Sequence, residues 1–238
     1  MLHIELSIYF IIILTSIIQS LFGVGVLVFG TPLLLIAGLN FVETLNILLP
    51  ISMVINLFQF LTNRDFIDKK LLENLFFIVL PLISITLFLG IQFIQMNLSL
   101  AVGCVLIFIA LLNYFKIDFI NLINEKIYFS IMSIIHGLTN LGGALLVGII
   151  SSKKFNKIKT RTNISFFYFS FAFIQLITLS INDLLIWKVD NLIYLVMGCT
   201  LFALTERFIF VKIKESLFVY LTNILLFFLG LLLIIKSL

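Results

Sequence analysis

The chain has 238 residues, 62% of them hydrophobic and only 11% charged, with a net charge of +4 and a mean hydropathy of +1.28. A soluble domain of this size has no room to bury so much apolar surface, so the solvent around it is lipid. The modest positive balance is informative through where the charges sit, not through its sum, and no nucleic-acid partner is expected.

A helix needs about 20 apolar residues to cross the hydrocarbon core. The first apolar block, 6–39, runs on into glycine and proline without a small-residue cleavage site, so it reads as retained structure and not as a signal peptide. Blocks follow at 43–62, 74–94 and 98–115, then at 127–150, 164–181, 190–206 and 216–235. The two cysteines, Cys104 and Cys199, stand alone within these blocks and read as small apolar residues, with no metal-ligating or redox spacing.

Lysine and arginine concentrate in cytoplasmic loops and so report orientation. If all eight blocks cross once, seven positive charges fall on one side and eight on the other, which is no bias. If blocks 6–39 and 127–150 instead enter and return to the same side, thirteen positive charges share one side, in 64–70, 116–126, 153–161 and 207–214, and only Lys188 and Lys236 remain on the other. The second arrangement is the one the charges demand. It predicts an all-α polytopic membrane protein of two inverted repeats, 1–118 and 119–238. Each repeat is a glycine-broken helical hairpin followed by three transmembrane helices. A shift of 117 residues superposes the span pattern and pairs Leu21 with Leu138, Gly25 with Gly142, Asn46 with Asn163 and Ile47 with Ile164. Inverted repeats around broken helices are a recurring plan of secondary transporters.

The first hairpin contains "SLFGVGVLVFGTPLLL", in which Gly23 and Gly25 weaken the helix and Pro32 removes a donor. The second contains "HGLTNLGGALLVG", with Gly137, Gly142, Gly143 and Gly148. Broken backbone at membrane depth is tolerated only where protein or a wet cavity satisfies it. The half-helix that resumes after a break presents N–H groups and a partial positive charge, which together suit an anion. The competing reading is close helix packing through small residues.

These segments resemble the sulfite exporter TauE/SafE family, in which a glycine-rich stretch followed by proline recurs in each half, with a short Thr-Ser-like stretch opening the next helix. Here "GVGVLVFGTP" and "NLGGALLVG" stand for the glycine stretches, and "TLN" (Thr44 to Asn46) and "RTN" (Arg161 to Asn163) stand for the Thr-Ser stretch. The first half lacks the glycine triplet, and Ile149 replaces the proline in the second. The resemblance implies transport of small anions, typically sulfur-containing ones such as sulfite or organosulfonates, in a bacterial inner or plasma membrane. It implies no cofactor.

Candidate substrate-binding residues follow from the two breaks: Gln19, Gly23, Gly25 and Asn46 in the first half, and His136, Thr139, Asn140, Gly142, Gly143 and Asn163 in the second. His136 either carries a proton beside the anion or stays neutral, bonded to a freed carbonyl. Thr139 and Asn140 either donate to substrate or cap the resumed helix. Asn56, Gln59 and Gln175 read as interhelical hydrogen-bonding groups. Arg161 either marks orientation or draws anions inward, and no Lys or Arg is expected near mid-depth, so the anion would meet only the fractional charges of helix ends.

Membrane enzymes are disfavoured by the lack of HExxH, GxSxG or paired intramembrane acids, and ATP hydrolysis by the lack of a Walker sequence. A cation or metabolite transporter of similar plan, or an assembly factor, stays open. The energy source is then a gradient, with H⁺ or Na⁺ as the coupling ion. Oligomeric state is not legible.

Overall fold

The computed structural model describes residues 2–23, 25–92, 98–115, 123–209 and 215–237. Lys116, Lys212 and Lys214, which contribute to the charge count, lie outside them. Ten helices and no strand occur among the described residues: α1 (Leu2–Phe22), α2 (Val26–Ala37), α3 (Phe41–Leu61), α4 (Lys69–Gln92), α5 (Leu98–Tyr114), α6 (Glu125–Thr139), α7 (Gly142–Ser152), α8 (Lys157–Ile181), α9 (Val189–Ile209) and α10 (Glu215–Ser237). α3, α4, α8 and residues 189–206 of α9 are long and apolar enough to cross a membrane, and the remaining apolar helices are shorter. The chain is a multi-pass membrane protein.

Local chemistry sets the helix ends. Asn40 and Glu43 form a reciprocal capping box at the start of α3, with Asn40 Oδ1 accepting from Glu43 N at 2.9 Å and Glu43 Oε2 accepting from Asn40 N at 3.0 Å. Asn124 and Asn156 cap α6 and α8 by accepting from Lys126 N and Lys159 N, each at 2.8 Å. The Asn156 cap starts α8 at Lys157, seven residues ahead of the apolar block, so the basic run "KIKTR" is helix and not loop. α4 widens into a π turn over Leu75–Val79, just before Pro81, whose ring and missing N–H oppose regular α-helical bonding there.

The two longest interior helices, α3 and α8, pack against each other at the centre. α1 lies on α9, and α6 lies on α4; α9 also packs on α3, and α4 on α8. α5 and α10 pair, and α2 touches α7. The core residues Leu45, Leu48, Leu49, Ile51, Phe167 and Phe171 are wholly buried. Phe77, Leu192 and Val196 point outward from α4 and α9, as lipid-facing side chains do.

Two polar faces result. One gathers the ion pairs Asp68–Lys159 (2.6 Å), Glu125–Lys153 (2.5 Å) and Arg161–Glu206 (2.5 Å). Lys159 holds the Asp68 carboxyl below the usual carboxylate range by donating a hydrogen bond to it. The opposite face holds a cavity of about 420 Å³ lined by Glu5, Gly38, Glu43, Lys188 and Asp190 among others. Lys236 Nζ also reaches this face, donating to the last carbonyls of α2, Leu35 O at 3.1 Å and Ile36 O at 2.7 Å. The outer ends of α6 and α7 therefore meet on the first face through Glu125–Lys153. Those of α1 and α2 meet on the second, where Ser7 and Ala37 line one groove. α2, α6 and α7, of 12, 15 and 11 residues, are each shorter than the hydrocarbon core of about 30 Å at a rise of about 1.5 Å per residue. Their tips end inside the protein.

Candidate functional site

The first break is a stitched turn. Gly23 takes the left-handed conformation at φ 74°, which a side chain would resist. Gln19 spans the gap, with Nε2 donating to Gly23 O at 2.8 Å and Oε1 accepting from Val26 N, at the start of α2, at 3.2 Å. Gln19 Nε2 also approaches Asn56 Oδ1 and Gln59 Oε1 of α3, at 3.5 Å each. Ser165 of α8 donates to Gln59 Oε1 at 3.2 Å. All five side chains, Gln19, Asn56, Gln59, Ser165 and Ser52 beneath Asn56, are buried.

The second break is left-handed at Asn140 (φ 62°), a residue type that tolerates this conformation. Asn140 N donates to His136 O at 2.7 Å, and Thr139 Oγ1 accepts from Leu141 N at 3.3 Å. Asn140 Nδ2 reaches Thr31 Oγ1 of α2 at 3.0 Å, which ties the two breaks together. His136 Nε2 lies 3.2 Å from Gln175 Oε1 on α8, and its ring packs 4.5 Å from that of Phe171. Tyr168, a turn and more earlier on α8, sets its hydroxyl against Gly143.

The restart glycines are required by close approach. A Cβ on Gly25 would stand 2.5 Å from Gln19 N and 2.9 Å from Thr15 O. A Cβ on Gly142 would overlap Met132 O and stand 2.5 Å from His136 Cβ. Thr15, Gln19 and Gly25 lie 117 residues before Met132, His136 and Gly142, so both turns close on the same three positions. Gly137 is different, since it sits within α6 and packs on Thr86 and Ile83 O of α4. Small-residue packing is the explanation there.

Eight of the ten residues singled out from sequence are brought to the breaks: Gln19, Gly23 and Gly25 at the first, and His136, Thr139, Asn140, Gly142 and Gly143 at the second. Asn46 and Asn163 are not. Asn46 holds the α8–α9 connection, accepting from Ile186 N at 2.7 Å and donating to Leu184 O at 3.0 Å. Asn163 holds the α3–α4 connection on the opposite face, accepting from Asp68 N at 2.8 Å and donating to Phe66 O at 3.1 Å. Both amides also donate to the carbonyl four residues back, so backbone groups satisfy them.

One expectation needs correction. An arginine does approach a break: Arg161 Cγ and Nε lie 3.6 and 3.8 Å from the place of a Gly23 Cβ, and its side chain is 20% exposed. Glu206 of α9 neutralises it. The buried polar side chains among the described residues are otherwise uncharged. Tyr168 escaped sequence reasoning because it stands in the aromatic run "SFFYFSF"; its hydroxyl, in mid-span, was the available signal. Gln175, seven residues on, falls on the same helical face.

A family model described as "Sulfite exporter TauE/SafE" matches residues 8–233. No curated protein and no solved structure matches the chain.

Proposed function

The chain belongs to the sulfite exporter TauE/SafE family, and on that premise we propose that it carries a small sulfur oxyanion, such as sulfite or an organosulfonate, across the cell membrane, held at a half-helix N-terminus inside the protein. The observation that carries the proposal is that α2 and α7 restart within the membrane domain among buried hydrogen-bonding side chains, with the Arg161–Glu206 pair against the first break. Donors and a fractional positive charge at such an end attract an anion without requiring a buried lysine. The residues we assign to it are Gln19, Gly23 and Gly25 at one break, and His136, Thr139, Asn140, Gly142 and Gly143 at the other.

An inverted repeat with a boundary near residue 118 is part of the proposal. Two observations support it. The packing of α1 on α9 and of α3 on α9 has its counterpart, five helices along the chain, in α6 on α4 and α8 on α4. Asn46 and Asn163, 117 residues apart, clasp opposite connections of the other half through the same pair of backbone bonds. Related halves of this kind rock about a fixed site in alternating access. The two clasps, one on each face, are then the contacts that must open in turn. A proton or sodium gradient supplies the energy.

Flux into proteoliposomes tests the function. Labelled sulfite, thiosulfate or a short alkanesulfonate is expected to pass faster than an amine or a metal ion. Passage of the cations, with all the sulfur anions excluded, would overturn the proposal.

A further inference from the structure

The two breaks are built on the same three positions but differ in what they leave open. At the first, Gln19 supplies both an acceptor for Val26 N and a donor for Gly23 O, so the backbone of the turn is satisfied, and Gln59 Nε2 beside it is left without a partner. At the second, the corresponding side chain is His136, and its Nε2 is engaged with Gln175 instead. The first N–H groups of an α-helix have no acceptor four residues back. At α7 these include the N–H groups of Gly142 and Gly143, and at Gly143 no Cβ stands between the helix end and the Tyr168 hydroxyl.

Over this end stands Tyr168. Its hydroxyl is the nearest atom to the missing Cβ of Gly143, the residue is 2% exposed, and the hydroxyl has no hydrogen-bond partner among the described residues. Gln175 Nε2 and His136 Nδ1, both on wholly buried residues, are unpartnered as well. Leaving a polar atom buried and unpaired is costly, and these three, one against Gly143 and two on the His136–Gln175 pair, are a standing cost to the fold. A ligand that accepts from Tyr168 O–H and Gln175 Nε2–H explains why these two donors are kept, while His136 Nδ1 is the acceptor nitrogen of a ring whose Nε2–H donates to Gln175 Oε1.

Resting on the reading of the chain as a sulfur-anion transporter, we propose that the second break, not the first, holds the substrate. Tyr168 O–H and Gln175 Nε2–H, together with the α7 N–H groups, donate to the oxygens of a singly charged –SO₃⁻ group, as in an alkanesulfonate or hydrogen sulfite. The single charge follows from the surroundings. A helix end presents about half an elementary charge, and Arg161, the one cation near a break among the described residues, faces Gly23 and is matched by Glu206. A dianion would stay undercompensated.

The test is binding of methanesulfonate and sulfite to the purified full-length protein, together with the melting temperature of the ligand-free form. Tyr168→Phe removes only the hydroxyl. It is expected to weaken binding about tenfold to a hundredfold, the worth of a hydrogen bond to a charged group. The ligand-free melting temperature should hold or rise, because an unpaired buried hydroxyl is gone. A structural role for the hydroxyl gives the reverse, a lower melting temperature with affinity unchanged, and overturns the proposal. So does an Arg161→Gln variant that loses binding while Tyr168→Phe keeps it, since that places the anion at the first break. Sulfate competing as well as methanesulfonate would overturn the single-charge assignment. A wild-type protein that binds no sulfur anion at all removes the transport reading itself, and this inference with it.

Discussion

Alanine at Gly142, Gly25 and Gly143 separates the roles of the three break glycines. At Gly142 the added methyl meets backbone, Met132 O and His136 Cα, together with His136 Cβ, so α6 and α7 must move apart. At Gly25 it meets Gln19 N and Thr15 O, again backbone. At Gly143 it meets the hydroxyl and ring carbons of Tyr168, so a buried side chain and not backbone must give way. Forcing a methyl into packed backbone costs about 1–3 kcal/mol, and neither Gly25, the N-cap of α2, nor Gly142, the first residue of α7, is an interior position where alanine gains helix propensity. We expect Gly142→Ala and Gly25→Ala to lose about 1–3 kcal/mol, roughly 2–12 °C in melting temperature for a chain of this length. Gly143→Ala should lose less than either, because only a side chain has to shift. Thermal unfolding followed by fluorescence-detected size exclusion in detergent reads the series. A Gly142→Ala protein as stable as wild type, with Gly143→Ala the weakest of the three, would refute the close-approach argument. Larger residues at position 142 are uninformative about substrate, because alanine already collides.

The clasps predict opposite local openings. Asn46→Leu should raise protease or thiol-reagent access to the 182–188 connection, and Asn163→Leu to the 62–68 connection, each at a cost of about 1–3 kcal/mol for the backbone groups left unpaired; equal exposure of both connections in both variants would argue against it. Single cysteines at positions 126 and 157, in a protein lacking Cys104 and Cys199, should react with an impermeant reagent from one side of the membrane, and cysteines at 40 and 188 from the other. Labelling of 126 and 157 from opposite sides would remove the hairpin arrangement. Asp68 has its pKa lowered by Lys159, so its contribution to stability is fully present above the unfolded value of about 3.9 and disappears as pH falls through the lower folded value. The stability difference between wild type and Asp68→Asn should therefore be flat from pH 5 to 8 and vanish in stronger acid, and a difference that grows on acidification would contradict the pairing.

The lipid-solvated helical class and the places where helices break were legible in the chain, because hydropathy and glycine content are properties of short segments. The turn at Asn140 follows the Thr-Asn pair that precedes Gly-Gly, and Gly23 lies at the first turn. The start of α8 was misjudged by seven residues because apolarity marks where a helix enters lipid, whereas the Asn156 cap marks where it begins. Only the tertiary structure decided what each polar residue near mid-span does. Asn46 and Asn163 look alike in sequence to substrate ligands, yet they bond to backbone more than ninety residues away. Gly25 and Gly142 look like substrate-approach glycines, and their requirement comes from a neighbouring helix whose distance no local pattern encodes. Tyr168 and Gln175 acquire meaning only when α8 is laid beside the start of α7, and Arg161 only when it is found against Gly23. Periodicity tells which side of a helix is polar. Which partner that side meets depends on how helices far apart in sequence pack, and that is settled by long-range burial.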